Sequence, residues 1–276
     1  MILGSHISIA KGYSKAAEAA LSIGANTFQF FTRNPRGGKA KKLDPIEVNK
    51  LNILVENGKL FKLLAHAPYT MNLASKNENT LDFARMILKD DIKRLSSLPC
   101  SHYVLHPGSH TGQGVNEGIN KIIDAFNTVL NGDEELSILL ETMSGKGTEI
   151  GSTFEELKLI IDGVIFSEKI GVCLDTCHLY SAGYDIVNDL EGVLNRFDEI
   201  IGLSKIKAIH LNNSKTDFNS HKDRHDKINS GILDIKFFEN IINMEIFKNI
   251  TLILETPNEL EGYAAEIKLL RSLKCN

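Results

Sequence analysis

Six residues with metal-binding side chains stand at the ends of short apolar runs. His66 follows the run 60–65, His106 follows 103–105, Glu141 follows 136–140, Asp175 follows 170–174, His210 lies near the end of 206–211, and Glu255 follows 250–254. A polar side chain at the end of a buried run costs free energy unless it is paired. One histidine in that position is usually a satisfied core or rim residue. Six such residues in chain order call for a shared partner, and this mixture of imidazoles and carboxylates is a donor set for divalent ions.

Three more candidates lie in loops. His178 follows Asp175 by three residues in Asp-Thr-Cys-His, and Asp223 and His225 form Asp-Arg-His. The i, i+2 spacing puts the last two on one side of an extended segment. Nine ligands are too many for one catalytic zinc, which takes three protein ligands plus water. They suit two or three ions bridged by a carboxylate, with Glu141 on a central run as the expected bridge. Imidazole-rich mixed sites favour zinc, with manganese or iron as alternatives. Clustered ions of this kind activate water, neutralise phosphoryl oxygens and stabilise a leaving alkoxide, which is the chemistry of phosphodiester hydrolysis.

Something must bring these positions to one place. The runs at 2–7 and 27–31 complete a set of eight, rich in β-branched residues and mostly not alternating, as in strands buried on both faces. Helix-period stretches lie between them, at 13–23, 79–98, 115–130 and 190–201. Polar starts with acids in the first turn occur at Glu78-Asn79-Thr80 and Thr153-Phe154-Glu155-Glu156. Eight strands each followed by a helix predict a (β/α)8 TIM barrel occupying residues 1–276 as one catalytic domain. The C-terminal strand ends of such a barrel meet at one face. An open doubly wound sheet is disfavoured because no Gly-x-Gly-x-x-Gly turn follows a strand.

The remaining histidines and cysteines attract weaker expectations. His6 is either a partner to the ligands or a rim residue, and His110 either orients His106 or belongs to its loop. His102, ahead of its strand at the opposite barrel face, and Cys177 are expected to be structural. Cys173 is expected to point into packing, and His221 to be solvated.

Composition narrows the class. The 276 residues are 42% hydrophobic and 24% charged, with a formal net charge of −4, so non-specific coating of nucleic acid is not expected. A local basic segment, Arg33 to Lys42 after the second run, could still meet phosphates, with Lys215, Lys222, Arg224 and Lys227 in the seventh loop. The N-terminal residues show no basic start followed by an apolar run, no stretch suits a membrane helix, and four cysteines are too few for a disulfide scaffold. A cytoplasmic protein without a membrane partner is expected.

His-Ala-Pro-Tyr at 66–69, His-Pro-Gly-Ser-His at 106–110, Glu-Thr-Met-Ser-Gly-Lys-Gly at 141–147, Gly-Val-Cys-Leu-Asp-Thr-Cys-His at 171–178, His-Leu-Asn-Asn-Ser-Lys at 210–215, Asp-Arg-His at 223–225 and Leu-Glu-Thr-Pro at 254–257 resemble the endonuclease IV family of abasic-site DNA repair nucleases. The resemblance implies three zinc ions, held by His66, His106 and Glu141, by Glu141, Asp175, His210 and Glu255, and by His178, Asp223 and His225. It implies a monomer that cleaves double-stranded DNA 5′ to an abasic site, leaves a 3′-hydroxyl and a 5′-deoxyribose phosphate, and trims blocked 3′ ends. It also implies a flipped lesion, with Arg36 and Tyr69 entering the DNA. Two places depart from the family pattern. Thr70 stands where a bulkier apolar residue is usual, and Ile228-Asn229-Ser230-Gly231 replaces a segment usually richer in glycine. A metal-dependent sugar isomerase is the alternative, disfavoured by the His178, Asp223 and His225 set.

Overall fold

The apolar runs become the strands of one closed parallel barrel. The computed structural model describes residues 1–275. Its barrel strands are β1 (Ile2–His6), β2 (Thr27–Phe31), β3 (Leu63–His66), β4 (Cys100–Leu105), β5 (Ser137–Glu141), β6 (Ile170–Asp175), β7 (Ile206–His210) and β8 (Thr251–Leu254). Each strand pairs with the next in the chain, and β8 closes on β1. The principal helices are α1 (Tyr13–Ser22), α2 (Pro45–Glu56), α3 (Glu78–Leu95), α4 (Val115–Val129), α5 (Phe154–Gly163), α6 (Thr176–Ser181), α7 (Leu190–Ile200), α8 (Ile235–Asn243) and α9 (Leu260–Ser272). This is the TIM-barrel architecture expected from the alternation of runs.

Strand periodicity explains why the site residues converge. Successive side chains on a strand point to opposite faces. Leu64, Val104, Leu139, Cys173, Ala208 and Ile253 form an apolar cluster of their own, the packed interior of the barrel. Their strand neighbours Ala65, Leu105, Leu140, Leu174, Ile209 and Leu254 belong instead to the large cluster between strands and helices. Two residues beyond each inner residue stands His66, His106, Glu141, Asp175, His210 or Glu255. The candidate ligands are therefore the layer above the apolar plug. At the crowded start of the barrel, β1 approaches β2 so closely that a Cβ on Gly4 would lie 2.0 Å from the Thr27 carbonyl oxygen.

Several boundaries differ from expectation. The third run begins at Leu60, but β3 starts only at Leu63, because Lys62 has φ 43° and turns the chain. β4 starts earlier, at Cys100, and places His102 inside the strand opposite Leu64 and Ser137. Asn77 caps α3 through its side chain, one residue before the expected polar start. Thr153 caps α5 as expected, and Glu156 accepts from the Gly151 and Ser152 amides of the turn that leads into the helix.

Candidate active site

Glu141, at the end of β5, is buried at the centre of the barrel mouth and faces both ways. Its Oε2 lies 3.1 Å from His66 Nε2 and 3.4 Å from His106 Nε2. Its Oε1 lies 3.3 Å from His210 Nδ1 and 3.2 Å from His178 Nδ1. His210 Nδ1 is also 3.3 Å from Glu255 Oε2 and 3.8 Å from Asp175 Oδ2, since β6 and β7 set Asp175 directly opposite His210. Asp175 also caps α6, accepting from the His178 amide at 2.8 Å, and so directs that imidazole into the mouth. His178 Nε2 lies 3.2 Å from Asp223 Oδ1, and His225 Nε2 lies 3.4 Å from the same oxygen.

Three groups result whose ligand atoms could each hold an ion: His66, His106 and Glu141; Glu141, Asp175, His210 and Glu255; and His178, Asp223 and His225. These are the sets implied by the sequence resemblance. A fourth grouping joins Cys177 to Asp175 and His225. Burial, with Asp175 adding to it, pushes the Cys177 thiol up to about 11, which suits a structural thiol rather than a thiolate ligand.

The imidazoles fit a cation for a reason visible in their outer contacts. His66 Nδ1 lies 2.7 Å from the Ala67 carbonyl, His178 Nδ1 2.9 Å from the Thr142 carbonyl, and His225 Nδ1 3.3 Å from the Glu255 carbonyl. A carbonyl oxygen only accepts, so each outer nitrogen must donate. A neutral ring then turns a lone pair toward carboxylates, acceptor against acceptor. His178 Nε2, His210 Nδ1 and His225 Nε2 are buried without a hydrogen-bond partner among the described residues. Either a proton or a metal ion must stand between such pairs, and the convergence of several pairs favours the ion.

The charges are mutually adjusted. Burial would push Glu141 up, but the imidazoles of His210, His106 and His178 outweigh it and hold its carboxyl well below the usual range. Burial likewise opposes charge on His178 and His210. Asp175, Asp223 and Glu141 overcome it at His178, and Cys173, Glu255 and Glu141 do so at His210, so both lie well above the ordinary imidazole value. Asp223 is lowered to about 2: its own burial resists, but the hydrogen bond and charge of His178 prevail.

Arg36 and Tyr69 lie on adjoining loops at the rim and are exposed. The Tyr69 amide donates to the Pro35 carbonyl at 3.1 Å, tying the two loops together, and the Tyr69 ring packs edge-on against Phe31 with centroids 5.1 Å apart. Arg33 corrects the reading of this segment as uniformly basic surface. It is buried and paired with Asp90 and Asp91 of α3, because a buried guanidinium needs compensating charge. Thr32 and Tyr103 donate to the other oxygen of Asp91.

Other expectations resolve differently. His110 accepts from the Gly112 and Gly114 amides and serves its own turn. His221 is exposed but not free: its ring contacts the Ser144 carbonyl at 3.0 Å, holding the Asp223 loop against the β5 loop. Cys173 packs in the inner apolar layer as expected. Ile228 is buried, donating to Glu266 Oε1 and accepting from Asn213, so the unusual 228–231 segment is anchored. His6 contacts Glu255 Oε1 at 3.3 Å, the position of a partner to the ligands.

Two residues of the site went unread in the sequence. Gln29, in the middle of β2, lies fully buried between His210 and Glu255. Asn212 donates to Asp175 Oδ2 at 2.7 Å and accepts from the Glu255 amide at 2.8 Å. The available signal was an amide inside the apolar run Thr-Phe-Gln-Phe-Phe, which must find a partner.

The closed barrel is that of a xylose isomerase-like TIM barrel, with candidate metal ligands clustered at its mouth, and the family model of that description matches residues 17–273. A protein from Clostridium beijerinckii named "Probable endonuclease 4" is 54% identical over 274 residues, covering 99% of each chain. Its namesake from Alkaliphilus oremlandii is 55% identical over 269 residues, covering 98% of this chain and 96% of the relative. Among solved structures, endonuclease IV from Thermus thermophilus matches with a TM-score of 0.88 and 30% identity, covering 99% of this chain and 98% of that one. The chain belongs to the endonuclease IV family and is a hydrolase of the deoxyribonuclease IV type.

Proposed function

We propose that this chain is a DNA repair endonuclease that hydrolyses the phosphodiester bond 5′ to an abasic site, leaving a 3′-hydroxyl and a 5′-deoxyribose phosphate, and that it also trims blocked 3′ ends. In this reading it works in the cytoplasm as a monomer, residues 1–276 forming one catalytic domain. The observation that carries the reading is the set of imidazole lone pairs turned on carboxylates around the shared Glu141. Three divalent ions are assigned to it, zinc by donor chemistry, with manganese the alternative. His66, His106 and Glu141 hold the first; Glu141, Asp175, His210 and Glu255 the second; His178, Asp223 and His225 the third. Ions so held supply an activated water and charge neutralisation at the phosphoryl and leaving oxygens.

The protein's own groups do the rest. Glu141 would be shared by the first two ions, since its Oε2 faces His66 and His106 and its Oε1 faces His210. His6, Gln29 and Asn212 hold the carboxylates in place. Exposed Arg36 and Tyr69 enter the DNA at the lesion, the guanidinium within reach of backbone phosphate and the ring stacking where the lesion leaves a gap in the duplex.

The test is a 5′-labelled duplex with one synthetic abasic site. The expected product is a single nick whose 3′ end a polymerase can extend, made by protein carrying about three zinc per chain and insensitive to added magnesium. Folded, zinc-loaded protein that leaves the duplex intact, or full activity after exhaustive metal removal, would sink the reading.

A further inference from the structure

We infer that Gln29 is a positioning residue that dictates which nitrogen of His210 and which oxygen of Glu255 face the second ion position. The inference rests on the metal-cluster reading above.

Gln29 Nε2 lies 2.7 Å from Glu255 Oε1, and Gln29 Oε1 lies 2.9 Å from His210 Nε2. An ionised carboxylate can only accept a hydrogen bond, so the amide nitrogen must be the atom facing Glu255. The amide oxygen must then face His210. That oxygen also only accepts, so His210 Nε2 carries a proton, and in the neutral ring that binds a cation Nδ1 is left with the lone pair. His210 Nδ1 is buried and has no hydrogen-bond partner among the described residues, and it lies 3.3 Å from both Glu141 Oε1 and Glu255 Oε2. On Glu255, Oε1 is engaged by Gln29 and by His6 Nδ1 at 3.3 Å, which leaves Oε2 for the ion. One amide thus sets both ligands.

The neighbouring histidines show why this position matters. The outer nitrogens of His66, His178 and His225 meet main-chain carbonyls, partners that no substitution at the carbonyl residue removes. These three turn Nε2 toward the carboxylates. His178 Nδ1 also lies 3.2 Å from Glu141 Oε1 but donates to the Thr142 carbonyl. His210 alone turns a partnerless Nδ1 on the carboxylates, and among these four rings it alone depends on a side chain for its orientation. Only an amide of this length supplies a donor to Glu255 and an acceptor to His210 at once. Glutamate would keep the acceptor but set a second carboxylate oxygen against Glu255, and methionine would supply neither.

Two measurements on the full zinc-loaded chain test the assignment. Zinc affinity is read by chelator competition for wild type, Gln29→Met and Gln29→Glu, with circular dichroism confirming the fold. One of three ions is expected to weaken about 10–100-fold in both variants, the span usual for residues that orient metal ligands, while the other two keep their affinity. Separately, the long-range nitrogen spectrum of ¹⁵N-histidine-labelled wild type, assigned with His210→Asn, is expected to show His210 protonated at Nε2 and metal-bound at Nδ1. This spectrum decides the matter even if Gln29→Met does not fold. Metal at Nε2 of His210, or unchanged zinc affinity in Gln29→Met, overturns the assignment and leaves the three-ion reading standing. A folded wild type that binds no zinc overturns both.

Discussion

Strand β4 places His102 near its start, at the floor of the barrel, and the residue after its end is His106, at the mouth. The two histidines lie on the same face of the chain, four residues apart, yet their chemistry is opposite. At the mouth, burial disfavours the His106 cation, but Glu141 outweighs it and the imidazole is raised. At the floor, burial and then the charges of Lys62 and Lys207 lower His102 to about 4, and its Nδ1 is buried without a partner among the described residues. Residue type does not decide which end is reactive. The C-terminal strand ends gather carboxylates and histidines into one pocket, whereas the charged neighbours of the floor histidine are cations.

The sharpest way to break this comparison is to remove one charge at the mouth and one titratable group at the floor. Glu141→Gln should reduce nicking at least about a thousandfold, corresponding to ~4 kcal/mol of transition-state stabilisation, and should reduce zinc content. His102→Gln should leave nicking within about twofold. Single-turnover nicking of the abasic duplex measures both. Comparable losses at the two ends would abolish the distinction.

The second test uses the pH dependence of stability in metal-free protein, where the ends carry opposite signs. At the mouth, His178 and His210 are raised when folded, so their contribution is fully present below the unfolded value near 6.5 and is lost as pH rises through the folded values. At the floor, His102 is depressed, so the unfolded chain takes up a proton first, and stability is lost as pH falls from 6.5 toward 4. Urea unfolding in chelator at pH 7 and pH 4.5 should show His102→Gln losing less stability than wild type, by roughly 2 kcal/mol. Parallel curves would show that His102 titrates normally.

Much of this contrast was legible in the sequence, and the reason is periodicity. A closed barrel aligns its strand ends, so Glu141, Asp175 and His210 could be placed from their position at the end of apolar runs alone. The loop residues His178, Asp223 and His225 were legible as candidate ligands through their motifs. What was not legible depended on partners far along the chain. Arg33 reads as part of a basic surface until Asp91, 58 residues away, is seen to hold it inside. Gln29 reads as an oddity in an apolar strand until β2 is closed against β1 and its amide meets Glu255, 226 residues away. His102 was placed at the correct barrel face, but the start of β4, and so the place of His102 inside the strand, was missed because Cys100 and Ser101 lack the apolar pattern that marks a buried strand.

A smaller effect separates cations by location. Arg36→Ala, at the rim, should weaken binding of the abasic duplex roughly tenfold and flatten the dependence of binding on salt by about one phosphate contact. Lys207→Gln removes the same charge at the floor and should leave both unchanged. Fluorescence anisotropy across a salt series measures this, and equal slopes for the two variants would mean that net charge, not rim placement, governs DNA binding.

The smallest expected effect concerns the floor itself. If Lys207 helps keep His102 neutral, Lys207→Gln should raise the His102 value by roughly half a pH unit, the size of one partly screened charge removed nearby. The His102 ring resonance, followed by NMR from pH 3 to 7, reads the midpoint directly, and His102→Gln assigns the peak. Burial stands ahead of the lysines among the causes of the shift, so the midpoint should stay well below 6.5 even without Lys207. A return to the ordinary value would mean that the lysine charge dominates, and the floor would then be an electrostatic counterpart to the mouth rather than a dry end of the barrel.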